Sequence, residues 1–268
     1  MRIDIELLKK LVIETASQEL MPRFQKIEGR KKADGSLVTE ADLAVQQRLK
    51  QYLSEEYPLI PLLGEEMSLE EQQHVLQNST NGFWCLDPLD GTSNYVAGTP
   101  CFATSLAYIH AGVVQIGIIY DPLRDECFYA EKGEGAWLNG ERLRLENSTD
   151  QLAGCVAMVD FKRLTPALAT QLATRPPYRS QRSIGSVALD WCWLAAGRLE
   201  VYIHGGSKLW DYAAGSLIYS EAGGRYRLTQ GHVSLAATDK LGLQPSMAVA
   251  AANASLFEDW IGWLSQYD

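Results

Sequence analysis

Two aspartates stand three residues apart in the stretch FWCLDPLDGTSNY, residues 83–95. Carboxylate oxygens at this spacing suit a hard cation such as Mg²⁺, and the carbonyl of Leu89, which lies between Asp87 and Asp90, adds a third oxygen. Two carboxylates this close repel one another unless a cation or a proton lies between them. The alternative is a rigid turn in which one aspartate caps a helix, and the stretch alone leaves both interpretations open.

The sequence repeats the Asp-Pro-Leu tripeptide in IIYDPLRDE, residues 118–126, where Arg124 replaces the second aspartate. Asp-Pro-Leu is good turn chemistry without any further purpose. The repeat therefore singles out Asp90, Gly91 and Thr92 as the residues that need a functional explanation. Gly91 allows the backbone to approach a ligand closely, and the N–H groups of a helical turn beginning there would face an anion.

Three further acidic residues fit both a structural and a functional interpretation. Glu65 lies in a Gly-Glu-Glu element after the apolar run LIPLL, which is typical either of a surface loop or of a carboxylate that ligates a hard cation. Asp211 precedes an apolar-periodic helix that Gly223-Gly224 ends, so it is either an N-cap or a ligand at a helix N-terminus. Asp42 stands three residues after Thr39, as in a capping box.

The stretch SIGSVALDWCWLAAG has Gly185-Ser186 directly before an apolar run. A simple helix start explains this pair. The functional alternative is that the backbone and the Ser186 hydroxyl recognise a hydroxyl group of a substrate.

The charge balance restricts the partners. The 268 residues include 24 Lys and Arg against 33 Asp and Glu, a formal net charge of −9, which argues against nucleic acid or an anionic membrane surface. An anionic small molecule can still bind where metal ions reverse the local charge. No signal peptide or transmembrane segment is visible, and five scattered cysteines indicate free thiols in a reducing compartment. These features predict a cytoplasmic globular protein.

Hydrophobic periodicity predicts helices first, strands next and then an alternation of the two. Helices are expected over residues 3–27 and 39–57, and three apolar runs between residues 83 and 137 predict an antiparallel meander. Beyond residue 150, strands alternate with helices, which is typical of a layered α/β arrangement; the helices are expected at 165–174, 186–196, 212–221 and 256–266. We place a boundary between an N-terminal half, 1–147, and a C-terminal half, 148–268.

Two long motifs make the sequence similar to a known family. The pattern Trp-x-x-Asp-Pro-x-Asp-Gly-Thr-x-Asn-Phe/Tyr is matched by Trp84, Asp87, Pro88, Asp90, Gly91, Thr92, Asn94 and Tyr95. The pattern Trp-Asp-x-Ala-Ala-Gly, followed by Glu-Ala-Gly-Gly, is matched by Trp210, Asp211, Ala213, Ala214, Gly215 and residues 221–224. With the Gly-Glu-Glu and Val-Thr-x-x-Asp elements upstream, the chain resembles the inositol monophosphatase family over nearly its whole length.

This resemblance implies a fold and an activity. The expected fold is a layered αβαβα sandwich, in which an N-terminal α+β metal-binding half has an antiparallel sheet and a C-terminal α/β half recognises the substrate. The expected activity is hydrolysis of a small sugar or polyol phosphate, dependent on two or three Mg²⁺ ions and sensitive to lithium. Members of the family are commonly homodimers, so the resemblance also implies a homodimer.

The resemblance also assigns roles to residues. Glu65, Asp87 and the Leu89 carbonyl would bind one metal ion, and Asp87, Asp90 and Asp211 a second. Thr92 and Asp42 would orient and deprotonate the attacking water, with Glu65 and Asp90 also in the catalytic group. The substrate-binding residues would be Asp90, Gly91, Thr92, Gly185, Ser186, His204 and Asp211.

His204 departs from the pattern of the inositol-specific members. These have a glutamate seven residues before the aspartate of Trp-Asp, where it contacts substrate hydroxyl groups, and this chain has His204 there. An imidazole cannot accept two hydroxyl protons as a carboxylate does. We expect His204, Lys208, Gly185 and Ser186 to line the leaving-group pocket and to set specificity; the alternative is a strand-end histidine with no role.

Several functions remain open within and beyond this family. Fructose-1,6-bisphosphatase, adenosine 3′,5′-bisphosphate phosphatase and histidinol phosphatase activities are alternatives within it. A haloacid-dehalogenase-type phosphatase would need Asp-x-Asp-x-Thr, and the spacing in this chain is one residue too long. A non-catalytic regulatory protein on the same scaffold is the alternative from another class, although it would not need the complete set of acidic residues.

Overall fold

The computed structural model describes residues 3–26, 28–32, 35–145, 149–230 and 241–267. Within these ranges the helices are α1 (Ile5–Glu19), α2 (Glu40–Glu56), α3 (Leu69–Asn78), α4 (Thr92–Ala97), α5 (Pro166–Thr174), α6 (Val187–Ala195), α7 (Leu209–Glu221) and α8 (Ala254–Leu264). The first strands are β1 (Arg30–Lys31), β2 (Leu37–Val38), β3 (Leu62–Gly64), β4 (Phe83–Asp90), β5 (Ala103–His110), β6 (Val113–Asp121) and β7 (Glu126–Glu131). The others are β8 (Gly135–Leu138), β9 (Glu141–Leu143), β10 (Val156–Asp160), β11 (Ser180–Arg182), β12 (Val201–Ser207), β13 (Arg225–Gln230) and β14 (Ser246–Ala251).

Local capping explains where the first two helices begin. The Asp4 side chain accepts hydrogen bonds from the first turn of α1, and Thr39 and Asp42 form a reciprocal capping box at the start of α2. The second predicted helix is thereby confirmed. The first ends at Glu19 instead of continuing to residue 27, because Pro22 cannot continue a helix and disfavours helical backbone at the residue before it.

Seven strands form the first sheet, in the sequential order β3 to β9. The strands from β4 to β9 pair antiparallel, which confirms the predicted meander, and β3 pairs parallel to β4 at one edge. The pair Asn139-Gly140, which is typical of a tight turn, joins β8 to β9 with both residues at positive φ.

The second sheet has five strands in the order β11-β10-β12-β14-β13. The strands β11, β10 and β12 are parallel, so their carboxyl ends meet at one edge of the sheet, while β14 and β13 run antiparallel to their neighbours. This mixture follows from the chain order, since α5 and α6 supply the crossovers that parallel neighbours require.

Three apolar cores hold five layers together, and the middle core contacts both sheets. The helices α1 and α2 cover one face of the seven-stranded sheet, α6 and α7 fill the space between the two sheets, and α5 and α8 cover the outer face of the five-stranded sheet. The predicted αβαβα sandwich is therefore confirmed. The predicted boundary at 147/148 lies outside the described residues, between a sheet drawn from residues 62–143 and one drawn from 156–251, and the division into two halves remains a prediction.

The sequence analysis missed several elements. The helix α3 is mostly polar and buries only Gln72 and Val75, so it has no apolar stripe, although its Ser68–Glu71 capping box was a readable signal. The strand β13 alternates charged and apolar residues at a sheet edge. The short antiparallel pair β1–β2 was not predicted either.

Two further expectations concern the state of the cysteines and the presence of a membrane-spanning helix. All five cysteines are free thiols, and four of them are buried. Within the described ranges, no helix combines the length and the apolar character needed to cross a membrane.

Candidate active site and metal centre

A bulge at the end of β4 brings Asp87 and Asp90 to the same side of the sheet. Phe83 and Cys85 pack towards the core around α6 and α7, and the residue between them faces the opposite core. Alternation would continue to Asp87 and would point Asp90 away. However, Asp87 pairs with Ser105 and Asp90 pairs with Ala103, so β4 contains one extra residue between them. The sequence predicted a turn here, and the structure instead has a bulged strand.

Asp211 completes a cluster of three carboxylates. Asp87, Asp90 and Asp211 each offer an oxygen, and these atoms lie within 4.8 Å of one another. Asp211 is the third residue of α7, not the residue before the helix, and its side chain accepts a hydrogen bond of 2.7 Å from the N–H of Lys208. The N-cap interpretation of Asp211 was therefore wrong, because α7 begins earlier than its apolar periodicity suggested.

Burial and mutual repulsion raise the pKa values of these carboxyls. Burial is the largest cause for all three, and the charge of Glu65 acts in the same direction on each. The pKa of Asp90 is raised to about 6, even though Ser186 and the N–H groups of α6 stabilise its ionised form. The pKa values of Asp87 and Asp211 are raised well above their ordinary values. A buried, all-oxygen, like-charged donor set fits Mg²⁺, which would relieve this repulsion.

Glu65 lies at the end of β3, next to the cluster. It takes part in a hydrogen bond with Asp87, and Lys32 forms ion pairs of 2.8 Å with Glu65 and 2.5 Å with Glu66. Burial and the charge of Glu65 raise the pKa of Glu66 to about 7, against the effect of Lys32. Lys32 thus holds both glutamates of the Gly-Glu-Glu element beside the cluster, a contact that the sequence analysis missed.

Asp42 and Thr92 form a second polar unit. The Thr92 hydroxyl lies 2.9 Å from the Leu89 carbonyl and 3.3 Å from Asp42 Oδ1, and a hydroxyl has a single proton to donate. Asp42 Oδ2 accepts hydrogen bonds from the backbone and the hydroxyl of Thr39. Burial raises the pKa of Asp42 to about 6, although these hydrogen bonds oppose the shift. Asp42 therefore belongs to the capping box and faces Thr92 as well.

Gly91 is required by the backbone between β4 and α4. It has φ +88°, and a Cβ there would lie 2.8 Å from the carbonyl oxygen of Cys101. Gly91 is the N-cap of α4, so the first N–H groups of this short helix have no partners within it. The helical turn expected after Gly91 is confirmed.

Ser186 and Gly185 lie where α6 meets the end of β4. The Ser186 hydroxyl hydrogen-bonds Asp90 Oδ2, which also accepts a bond of 2.8 Å from the N–H of Ala188. The same hydroxyl caps α6. The hydrogen bond helps to hold the Asp90 carboxylate at the N-terminus of α6. The expected contact of this hydroxyl with substrate remains a prediction. Gly185 has φ +75° and lies against Asn94, which bridges two carbonyls.

His204 lies on β12 and has protein partners at both ring nitrogens. Nε2 is 3.1 Å from Asp160 Oδ2, and Nδ1 is 3.3 Å from the backbone nitrogen of Gly206. Because a backbone N–H can only donate, Nδ1 accepts and Nε2 carries the proton that bonds Asp160. Burial acts to raise the pKa of Asp160, but the hydrogen bond and charge of His204, the N–H of Lys162 and the charge of Arg163 together outweigh it and lower that pKa.

One cavity of about 360 Å³ joins nearly all of the predicted residues. Its lining includes Glu65, Asp87, Leu89, Asp90, Gly91, Thr92, Gly185, Ser186, His204, Lys208 and Asp211. Asp42 is not in the lining and is connected to it through Thr92. A larger cavity of about 680 Å³ has none of these residues in its described lining, so volume alone does not mark the site.

The polar residues of this cavity that the sequence analysis missed include Asp160, Arg163 and Asp190. Asp190 interrupts the otherwise apolar helix α6, and an isolated carboxylate in such a run was a usable signal. Asp160 and Arg163 follow the carboxyl end of β10, a strand with parallel neighbours on both sides. Ligands commonly bind at that edge of such sheets, so their position was also readable once the strand was predicted.

Comparison with known proteins agrees with this geometry. A sequence model of the inositol monophosphatase family matches residues 2–261. The chain belongs to the inositol monophosphatase family. A protein of Pasteurella multocida named Nus factor SuhB is 39% identical over 220 residues, covering 77% of this chain and 80% of its own. Inositol monophosphatase 1 of Solanum lycopersicum is 35% identical over 199 residues, 72% of each chain.

A solved structure supports the fold over nearly the whole length. The IMPase of Thermotoga maritima superposes with a TM-score of 0.79 at 26% identity, covering 98% of this chain and 99% of that one. The inositol monophosphatase family consists of Mg²⁺-dependent phosphatases of small phosphorylated metabolites. The acidic cluster of this chain could hold a metal ion of that kind.

Proposed function

We propose that the chain is a Mg²⁺-dependent phosphate monoester hydrolase that acts on a small sugar or polyol phosphate. One observation carries the proposal: three carboxylates, two buried and one half-buried, converge within 4.8 Å in a cavity that Thr92 also lines, and Thr92 is in contact with Asp42. A pure binding protein does not need buried like charges beside a proton-accepting pair.

The residues that would hold the metal are Glu65, Asp87, the Leu89 carbonyl, Asp90 and Asp211. Bound Mg²⁺ supplies charge stabilisation at the phosphoryl oxygens and lowers the pKa of water. Gly91 gives the phosphate close access to the backbone, and the N–H groups that begin α4 face it. Lys32 keeps Glu65 beside Asp87. The number of ions, two or three, remains a prediction from the resemblance.

Asp42 and Thr92 would handle the proton. Thr92 Oγ1 accepts a hydrogen bond from the attacking water while its own proton turns from the Leu89 carbonyl to Asp42 Oδ1. As the water attacks phosphorus, its proton passes to Thr92 and the proton of Thr92 passes to Asp42, while the bond between phosphorus and the ester oxygen breaks and the leaving oxygen takes a proton from solvent water. A pKa of about 6 suits Asp42 to accept this proton near neutral pH.

The test is phosphate release with Mg²⁺ from a panel of esters. The panel contains inositol 1-phosphate, fructose 1,6-bisphosphate, adenosine 3′,5′-bisphosphate, histidinol phosphate and glycerol 2-phosphate. We expect Asp90→Asn to lower kcat by about a thousandfold or more, since it removes a charge from the reacting centre. The exposed Asp259→Asn in α8 is the matched control and should leave the activity unchanged. Equal loss in both variants, or no Mg²⁺-dependent release, contradicts the proposal.

A second candidate is a regulatory role without catalysis. The relative from Pasteurella multocida is named Nus factor SuhB, which supports this alternative. A folded, Mg²⁺-binding protein that hydrolyses none of the panel would favour it. A homodimer, sensitivity to lithium, a cytoplasmic location and the absence of nucleic-acid partners remain predictions, and each needs its own measurement.

A further inference from the structure

Asp190 lies in the active-site cavity between the layer of α6 and the strands β10 and β12. Its backbone N–H donates a hydrogen bond of 3.0 Å to the carbonyl of Ser186, whose hydroxyl bonds Asp90. Side chains four residues apart on a helix lie on the same face, so Ser186 and Asp190 face the cavity together. Asp160 of β10 and His204 of β12 line the same cavity. Asp190 therefore adjoins the space that the leaving group would enter when the acidic cluster holds the phosphate.

The Asp190 carboxyl has hydrogen-bonding capacity that the protein does not use. The residue is only 5% exposed, and its Oδ1 has no hydrogen-bond partner among the described residues. The nearby Tyr202 hydroxyl acts to lower the pKa of Asp190, but this hydroxyl also lacks a partner at hydrogen-bond distance. An unpaired polar group that is buried destabilises a protein, and such groups often have a functional role. In the lining of a cavity, a bound ligand can supply the missing hydrogen bond.

Other polar groups in this part of the lining already have protein partners. Asp160 Oδ1 accepts a hydrogen bond of 2.8 Å from the N–H of Lys162, and Asp160 Oδ2 is 3.1 Å from His204 Nε2. The second ring nitrogen of His204 accepts from the N–H of Gly206. Asp190 differs from these neighbours because one of its oxygens is unpaired.

The electrostatic surroundings indicate which kind of group pairs with Asp190. Burial, followed by the charges of Asp90 and Asp160, raises the pKa of this carboxyl well above its ordinary value. A neutral carboxylic acid has a carbonyl oxygen that accepts and an O–H that donates, so it bonds a hydroxyl group in either direction. It also attracts a cation less than a carboxylate does. A hydroxyl group of the substrate therefore matches Asp190 better than an ammonium group.

We propose that Asp190 is a specificity-determining residue, and that its carboxyl forms a hydrogen bond with a hydroxyl group on the leaving group of the phosphate ester. The inference rests on the proposed function for the position of the scissile phosphate. It names a substrate class, a phosphate monoester of a neutral polyol or sugar with a free hydroxyl group. This contact gives the chain a means of selecting such a substrate although His204 replaces the glutamate of the inositol-specific members.

Substrate pairs that differ in hydroxyl groups test this inference. Inositol 1-phosphate is compared with cyclohexyl phosphate, and glycerol 2-phosphate with isopropyl phosphate. In at least one pair we expect kcat/KM for the hydroxyl-bearing ester to exceed that of its partner by about tenfold or more, since the partner leaves a buried polar group unpaired. Asp190→Leu should lower kcat/KM for the hydroxyl-bearing ester by about tenfold and leave that of its partner nearly unchanged.

Two control variants separate direct contact from a structural role. Asp190→Asn keeps an acceptor and a donor of similar shape and should keep most of the preference. Tyr202→Phe removes the neighbouring hydroxyl, which is not in the described lining of the cavity, and should keep the whole preference. If Asp190 acted only by supporting Tyr202, this second variant would lose the preference as Asp190→Leu does, and that result would overturn the proposal.

The outcomes also separate this inference from the proposed function. A wild-type preference below about tenfold in both pairs, or an equal loss for both members of a pair in Asp190→Leu, overturns the contact. If Asp190→Leu does not fold, Asp190→Ala is judged by the same criteria. If none of the four esters is hydrolysed, the proposed function fails, and the same ratios are then taken from dissociation constants measured by calorimetry with Mg²⁺. A selective loss of affinity for the hydroxyl-bearing ester would still support the contact, and its absence would overturn it.

Discussion

Arg124 and Asp90 occupy equivalent positions in the two Asp-Pro-Leu stretches, and their contacts explain why only one stretch is electrostatically unusual. In both stretches the first aspartate accepts a hydrogen bond of 3.0 Å from the N–H two residues later. In the second stretch, Arg124 also forms an ion pair of 2.8 Å with Asp121. In the first, Asp90 adds a second negative charge beside Asp87. The hydrogen bond from the backbone to the first aspartate is shared, while the charge next to it is reversed.

Asp190 is the least satisfied ionisable residue of the cavity lining. It is only 5% exposed, and its Oδ1 has no hydrogen-bond partner. Burial, together with the charges of Asp90 and Asp160, raises the pKa of Asp190 well above its ordinary value. The folded protein therefore favours the neutral acid at this position. A neutral residue of the same shape should be tolerated better than the ionised aspartate.

We predict that Asp190→Asn stabilises the protein at neutral pH. A carboxyl whose folded pKa is raised favours folding below its unfolded pKa and loses that contribution as pH rises through the folded pKa. The wild type should therefore lose about 1.4 kcal/mol for each pH unit above about 4, relative to the variant, until the folded pKa is reached. Urea unfolding at pH 5, 6 and 7 measures the difference. The control is the exposed Asp259→Asn, whose free energy of unfolding should depend on pH as that of the wild type does. If the pH profile of Asp190→Asn also ran parallel to that of the wild type, the prediction would be refuted.

At the scale of elements, α7 is held tightly against the first sheet. A Cβ placed on Gly117 of β6 would lie 2.6 Å from the carbonyl oxygen of Ala214, an atom of the helix backbone. On the other side, Gly215 lies directly against the side chain of Trp191 in α6. These close approaches fix α7, and thus Asp211 in its first turn, relative to β4. The small residues of the second motif therefore have a packing role in addition to any contact with substrate.

Gly117→Ala should destabilise the fold and weaken metal binding together. Overpacking against a helix backbone costs about 1–3 kcal/mol, and any shift of α7 moves Asp211 away from Asp87 and Asp90. Gly262→Ala in α8 is the control, because its Cβ would meet nothing within 4 Å and alanine favours a helix. Chemical unfolding and Mg²⁺ titration check both variants. Destabilisation with an unchanged Mg²⁺ affinity would show that α7 does not position the site.

At the scale of the whole molecule, the packing of the layers places like charges close together, which lowers the stability of the folded state. The cluster combines β4, from the first sheet, with α7, from the layer between the sheets, and Glu65 adds the end of β3. Folding buries these carboxylates next to one another, which disfavours the folded state unless protons or a cation compensate. Metal binding and stability should therefore be linked.

Mg²⁺ should raise the melting temperature of the wild type above its value in EDTA. A ligand that binds only the folded state at a hundred times its Kd stabilises that state by about 2.7 kcal/mol. Asp87→Asn should lose most of this increment while melting at least as high as the wild type in EDTA, because it removes one buried charge. Asp259→Asn should behave as the wild type does. The absence of a Mg²⁺ effect, or an equal effect in Asp87→Asn, would show that the cluster is not the metal site.

Local sequence determined the elements whose signals lie within a few residues. The Thr39 cap fixed the start of α2, alternation predicted the strands of the meander, and Asn139-Gly140 predicted its last turn. The identities of the acidic residues and their resemblance to a family were also sufficient to name the members of the cluster. Such signals are readable because capping, turn geometry and alternation depend on neighbours in sequence.

Tertiary structure alone decided which groups face each other. The bulge that turns Asp90 towards Asp87 depends on pairing with β5, and the distance from either aspartate to Asp211 depends on the packing of α7. The same is true of His204, whose ring nitrogens have partners on β10 and on its own strand; its expected contact with substrate remains a prediction. Burial, pKa and hydrogen-bond partners arise from residues distant in sequence, so local periodicity cannot contain them.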